Sequence, residues 1–376
     1  MAPSFDIHSK DAQAMPVEPV EPRAFDYAAF ADHEAAAEAR YTAFLEQREG
    51  VAVWQRVRVA DVFRDGCRDM GASLRWQLGG LTKSLNYATD AATYLEPWYG
   101  IGVTAGAFGG EYNWPEGQAP VVRPLYESLA ELPATLETRP ANESQIMRHV
   151  LDMITYFLEE TGGQLPMSWS DLQNPINVAT ELVETSAFFA GFVEAPDEVR
   201  RLLAAITDEV IRFTQAQSAL IGERLVRPGH GFASARCGRG LGLSSDNLVM
   251  LSPLTYKAFC VENDAKIGAA FGGTATHSCG DWARWLPAVK TNPELFMVDA
   301  AFTPQTDPNF NDPAAFREAF AGTGVIVHAR MVGPADAVLE KARALWGPGM
   351  RLIVTTYEQD PAEQHRLYAA LKNLAQ

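Results

Sequence analysis

The sequence is short of cysteine, of cationic charge and of long apolar runs, and each shortage removes a class of function. Its four cysteines, Cys67, Cys237, Cys260 and Cys279, are widely spaced and form no C-x-x-C pair. A disulfide framework is therefore excluded, and reduced thiols are expected. Lys and Arg number 31 against 47 Asp and Glu, a formal net charge of -16. Such a surface gives no electrostatic reason to approach nucleic acid or an anionic membrane. No apolar run approaches the ~20 residues that span a bilayer, and no basic start leads into an apolar stretch, so a cytoplasmic protein is expected. No G-x-G-x-x-G follows an early strand and no G-x-x-x-x-G-K-[ST] occurs, which leaves dinucleotide and P-loop chemistry without a motif.

What is present reads as a folded α/β chain, with 47% hydrophobic and 10% aromatic residues. Residues 1–25 are rich in proline and acids and should form an extended or disordered arm. Residues 26–92 read as an N-terminal helical layer, because Tyr27, Phe30, Tyr41, Phe44 and Leu45 recur at helical spacing. Short β-type runs then alternate with helical patterns over residues 93–376. The runs are Trp98 to Phe108, Leu165 to Trp169, Leu241 to Ser245, Thr274 to His277, Leu295 to Asp299, Gly324 to Met331 and Arg351 to Thr356. Helices are expected at Glu143 to Glu160, Pro175 to Phe189, Asp197 to Arg224, Pro253 to Asn263, Pro334 to Trp346 and Pro361 to Leu374, several opening on Pro or a capping residue. With an eighth strand between residues 66 and 92 or around Leu248 to Leu251, the count fits a (β/α)8 TIM-type barrel with extra N-terminal helices. A doubly wound open sheet is the alternative.

The segment His277-Ser278-Cys279-Gly280-Asp281 ends a short strand and enters a glycine turn. In a barrel that position is the catalytic face. His277 and Cys279 are two residues apart, so an extended backbone points both to one side, where imidazole and thiolate suit zinc. The pair supplies two ligands of the three a catalytic zinc takes. The alternative is a packed or hydrogen-bonded pair without an ion. Asp246, at another strand end, reads from local pattern as a helix cap. Asp281 reads as a ligand-orienting group or a cap. Trp98, Tyr99, Tyr112 and Trp169 read as core aromatics or as an apolar slot for a small substrate. His149, His230 and His365 lack sequence partners and are assigned to the surface, and Cys237 and Cys260 to the structure.

From about residue 95 onward the chain resembles the uroporphyrinogen decarboxylase superfamily. The resemblance rests on Asp246, Ser252-Pro253, His277 to Gly280, Gly333 to Asp336, the RLIVTT strand and Asp360 to Glu363. Its His-x-Cys form is similar to the cobalamin-linked methyltransferases. This implies zinc that activates a thiol, a corrinoid carried by a separate protein, and a small methylated, methoxyaromatic or thiol substrate whose demethylation or methylation the barrel performs. Those enzymes bring a third ligand, a cysteine, from the last strand, and this chain has no cysteine after Cys279. Asp299, His328 or Glu358 would complete the site, with Asp246, His277, Asp299 and His328 as catalytic candidates. The Arg-rich M-R-Q-A-G-R-Y motif of the true decarboxylases is missing. A decarboxylase or lyase acting on a small carboxylate, and a ligand-binding barrel without catalysis, are the other readings. A homodimer is carried as a candidate assembly.

Overall fold

A computed structural model describes residues 13–375. The first twelve residues of the expected arm lie outside the described residues. Residues 13–25 are pinned along the body, with Met15 N donating to Arg58 O (2.8 Å) and Val20 N to Arg75 O (2.9 Å). In chain order the elements are α1 (Tyr27–Glu46), β1 (Gly50–Gln55), α2 (Met70–Ser84), the hairpin β2 (Tyr112–Asn113) and β3 (Val121–Val122), α3 (Gln145–Glu160), α4 (Pro175–Leu182), α5 (Thr185–Glu194) and α6 (Pro196–Ile221). Then follow β4 (Leu241–Ser244), α7 (Pro253–Phe259), α8 (Val261–Phe271), β5 (Thr274–His277), α9 (Leu286–Val289), β6 (Leu295–Ala301), α10 (Pro313–Phe320), β7 (Ile326–Met331), α11 (Ala335–Leu345), β8 (Arg351–Thr356) and α12 (Pro361–Lys372).

Six strands form one parallel sheet in the order β1-β8-β7-β6-β5-β4. Two short staves close it into a barrel. Asp90 N donates to Val53 O (2.7 Å), Leu95 bridges Met167, and Gln173 bridges Ser244 of β4. A strap at residues 224–228 fills the remaining gap, since Val226 N bonds Met167 O (2.9 Å) and Gly242 N bonds Pro228 O (2.8 Å). Polar backbone groups of the irregular staves thus find partners although no regular ladder forms there.

Helix starts follow local chemistry. α4, α7, α10 and α12 each open on Pro after Asn174, Ser252, Asp312 or Asp360, whose side chain accepts a backbone N–H of the first turn. The Pro175 to Phe189 helix divides into α4 and α5, and the one from Pro253 divides at Cys260 into α7 and α8. None of the helices among the described residues is long and apolar enough to cross a membrane.

Three strand expectations need correction. β1 lies inside the segment read as purely helical. All six of its residues are buried, so the two-residue alternation that marks a half-exposed strand is erased. Trp98 to Phe108 is no strand, because Pro97, Gly100 and Gly102 break it and a short 3-10 turn ends it. The stave lies just upstream, at Leu95. No eighth strand forms at 66–92, which holds α2, or at Leu248 to Leu251, which lies largely in a 3-10 turn. The Leu165 to Trp169 run survives as isolated bridges at Met167.

Met167 touches both neighbouring staves and is fully buried. Met167→Ala should therefore lower unfolding stability by about 2–5 kcal/mol in urea denaturation. Leu254→Ala, at a side chain 79% exposed, should stay within about 0.5 kcal/mol.

Candidate active site

Sheet register assembles the site. Ser244, His277, Asp299, His328 and Ile353 are successive cross-strand neighbours on β4, β5, β6, β7 and β8. Neighbouring strands lie about 4.8 Å apart, so side chains on one rung that point the same way can bond directly. Asp299 does this twice. Its Oδ2 is 2.5 Å from His277 Nδ1 and its Oδ1 is 2.5 Å from His328 Nδ1. Arg330 Nε lies 2.9 Å from Asp299 Oδ2, and Arg330 Nη2 lies 3.3 Å from His277 Nδ1. Burial alone would push the Asp299 carboxyl up, yet Arg330, His277 and His328 hold it well below the usual carboxylate range.

His328 is fully buried and both its nitrogens are engaged. Nε2 accepts from Ala233 N (3.1 Å) and lies 2.9 Å from the Thr355 hydroxyl. That acceptor role fixes the neutral tautomer with its proton on Nδ1, toward Asp299. Burial lowers the His328 pKa in agreement. The ring has no lone pair left for a metal, which corrects its assignment as a candidate third ligand.

His277 presents the opposite case. With Nδ1 on Asp299, its Nε2 faces Asp246 Oδ1 and Cys279 Sγ, each at 3.4 Å. Cys279 N donates to Asp246 Oδ1 (2.8 Å). Burial and Arg330 depress the His277 pKa, but the Cys279 thiol and the Asp246 and Asp299 carboxylates raise it well above the usual value. One donor atom from each of Asp246, His277 and Cys279 lies within 4.8 Å of the others. This is the one such group among the described residues, and the partner of the His-x-Cys pair is Asp246.

Asp246 is therefore turned toward the pair, and its side chain caps no helix. Asp281 accepts from Ala283 N (3.1 Å) in a local turn and is not the N-cap of the following 3-10 helix, a position Trp282 holds. Of the other two expected ligands, Asp299 has its oxygens on His277 Nδ1 and His328 Nδ1 and stands outside the donor group, and the Glu358 carboxylate accepts from Gln359 N (2.8 Å) and Asp360 N (3.0 Å). The Cys279 turn is held from the next loop. Gly280, at φ +73°, donates to Asp307 Oδ2 (2.8 Å), and Asn311 bonds both Gly280 O and Trp282 N.

The cleft in front of these groups, about 350 Å³ with its open mouth, is lined by Arg56, His230, Gly231, Phe232, Ser244, His277, Asp299 and Arg330. The four aromatics expected to bind substrate do not line it. The Trp98 indole donates to Asp171 (3.1 Å), Tyr99 stacks on His149 at 3.7 Å and packs on Tyr112, and Trp169 donates to Ser218 (2.8 Å) against Phe271. Arg56, Glu96, Asp171, His230 and Arg330 were missed. Only Arg330 had a local signal, since it lies two residues after His328 on the same strand and so on the same face.

Removing the shared carboxylate should strand a buried cation. Asp299→Asn should cost about 3–5 kcal/mol of stability in chemical denaturation, through uncompensated Arg330. Among protein families, the description "Uroporphyrinogen decarboxylase (URO-D)" matches residues 80–222, from within α2 to just past α6. The segment His277 to Asp281 lies downstream of that match. No curated protein matches the chain. Among solved structures, a methyltransferase from Methanosarcina mazei is similar at a TM-score of 0.59 and 17% identity, over 90% of this chain and 98% of that one. That likeness establishes the shared α/β barrel fold.

Proposed function

We propose that the chain is a methyltransferase-type enzyme of the uroporphyrinogen decarboxylase superfamily. It would move a methyl group between a small methylated compound or thiol and a corrinoid held by a partner protein. The observation that carries this reading is the convergence of nitrogen, sulfur and oxygen donors from His277, Cys279 and Asp246 at a strand's C-terminal end. Their 3.4 Å separations are those of ligands sharing one small ion at about 2.0–2.3 Å. The donor set fits zinc, with a carboxylate in place of a last-strand cysteine. Zinc bound there would stabilise a thiolate at neutral pH and leave a fourth position for substrate.

The protein's own groups have separable tasks. Asp299 orients His277 so that Nε2, not Nδ1, faces the substrate side. The Cys279 main chain holds Asp246 beside it. Such outer support is worth about 10–100-fold in metal affinity at comparable sites. The second reading is a decarboxylase or lyase acting on a small carboxylate. It is favoured by two buried guanidiniums, Arg56 and Arg330, on the cleft wall, whose planar forks suit a carboxylate.

Protein purified without chelator should carry one zinc per chain by elemental analysis. Asp246→Ala, His277→Ala and Cys279→Ser should each lower that occupancy about tenfold or more and abolish methyl transfer from free methylcobalamin to a thiol. A metal-free wild type would end the zinc reading. Turnover of small carboxylates with release of carbon dioxide would select the second.

A further inference from the structure

Two histidines line the cleft, and only His277 belongs to the candidate metal group. The other, His230, sits on the loop between the 224–228 strap and β4. Its neighbours Gly229 and Gly231 have φ of +110° and +78°, a turn that side-chain-bearing residues rarely adopt. The loop is fixed at several points. The Tyr94 hydroxyl donates to Gly229 O (2.8 Å) or Phe232 O (2.7 Å), Ser234 Oγ accepts from Gly229 N (2.9 Å), and Ala233 N is tied to His328. It is a platform of the kind that holds functional groups in place.

His230 Nδ1 is hydrogen-bonded to Glu96. Burial would push the Glu96 carboxyl up, but His230, Arg56 and Arg58 hold it below its ordinary value. Glu96 is thus an anion that keeps a proton on Nδ1. Nε2 has a longer contact, 3.3 Å to Asp171 Oδ2. Both Asp171 oxygens already have donors, the Trp98 indole (3.1 Å) and the Gln173 amide (2.7 Å). The Phe63 ring covers one flank, and a fifth of the side chain is exposed. Since His230 lines the cleft and its Nδ1 is held by Glu96, Nε2 is the nitrogen left for a ligand there.

We propose that His230 is the proton donor for the methyl donor's departing oxygen, with Glu96 as its positioning residue. This rests on the methyl-transfer reading above and applies where the methyl donor is an ether whose oxygen is too basic to leave as an anion. In the step, a reduced corrinoid contributes the electron pair of the new bond to the methyl carbon. The carbon–oxygen bond breaks with its pair on oxygen, and that oxygen takes the Nε2 proton. His230 is left neutral, with Nδ1–H still on Glu96, and regains its proton from solvent.

The test compares wild type, His230→Gln and Glu96→Gln on methoxybenzene and 4-nitromethoxybenzene, with free cob(I)alamin as acceptor. General acid assistance predicts that His230→Gln loses about a hundredfold on methoxybenzene and far less on the nitro compound, whose phenolate needs no proton. Glu96→Gln should show the same trend, smaller. Equal losses on both ethers would mean that His230 only supports the fold, and would overturn the assignment. A wild type that demethylates neither ether overturns the assignment; if that same protein still moves methyl from methylcobalamin to a thiol, the reading beneath it stands, which separates the two failures. If His230→Gln does not fold, carbethoxylation of the wild type by diethyl pyrocarbonate decides. His230 should react while buried His328 stays inert, and an inert His230 would contradict the proposal.

Discussion

The site depends on one buried carboxylate that three cationic or protonated groups share. Asp299 accepts from His277 and His328 and pairs with Arg330, and each contact settles something different. The bond to His277 leaves Nε2 for Asp246 and Cys279. The bond to His328 fixes a tautomer whose other nitrogen anchors Ala233, and with it the loop that carries His230. The Arg330 pair keeps the carboxylate charged although it is almost fully buried. A satisfied buried ion pair contributes little net stability over an apolar replacement, so the value of this network is geometric. One residue fixes both histidines of the cleft, one directly and one through a loop.

The barrel makes that economy available. Parallel strands in register place Ser244, His277, Asp299 and His328 on one rung, and the following loops supply Asp246 and Cys279 above it. Both cleft histidines follow one rule: a carboxylate from another segment holds Nδ1, and Nε2 faces a second carboxylate at longer range. Asp299 does this for His277, and Glu96 for His230. Arg56 and Arg330 also stand on the wall, each facing a carboxylate, Glu96 for Arg56 and Asp299 for Arg330.

The later half of the fold was legible from local pattern. β5 and β8 have the expected bounds, and Pro-started helices begin where capping chemistry places them. β1 and the two irregular staves were less legible for a physical reason. A strand buried on both faces has no polar alternation, and a stave held by single bridges needs no strand-like sequence. In the candidate site, His277, Cys279 and Asp299 stand out in the sequence because strand ends carry chemistry in a barrel, and Asp246 through the resemblance. Their division of labour does not. Sequence cannot show that Asp299 turns inward between two imidazoles while Asp246 turns toward the pair. His230 reads as a surface residue in the sequence because its hydrogen-bond partner, Glu96, lies 134 positions away.

The proposed chemistry stands or falls with one zinc site in which Asp246, His277 and Cys279 supply oxygen, nitrogen and sulfur donors. X-ray absorption at the zinc edge on the purified protein reads that donor set. Zinc is expected with one sulfur neighbour at about 2.3 Å and its other ligands nitrogen or oxygen at about 2.0–2.2 Å, with the sulfur shell lost in Cys279→Ser. Absence of zinc, or a zinc signal without sulfur in its first shell, would contradict it.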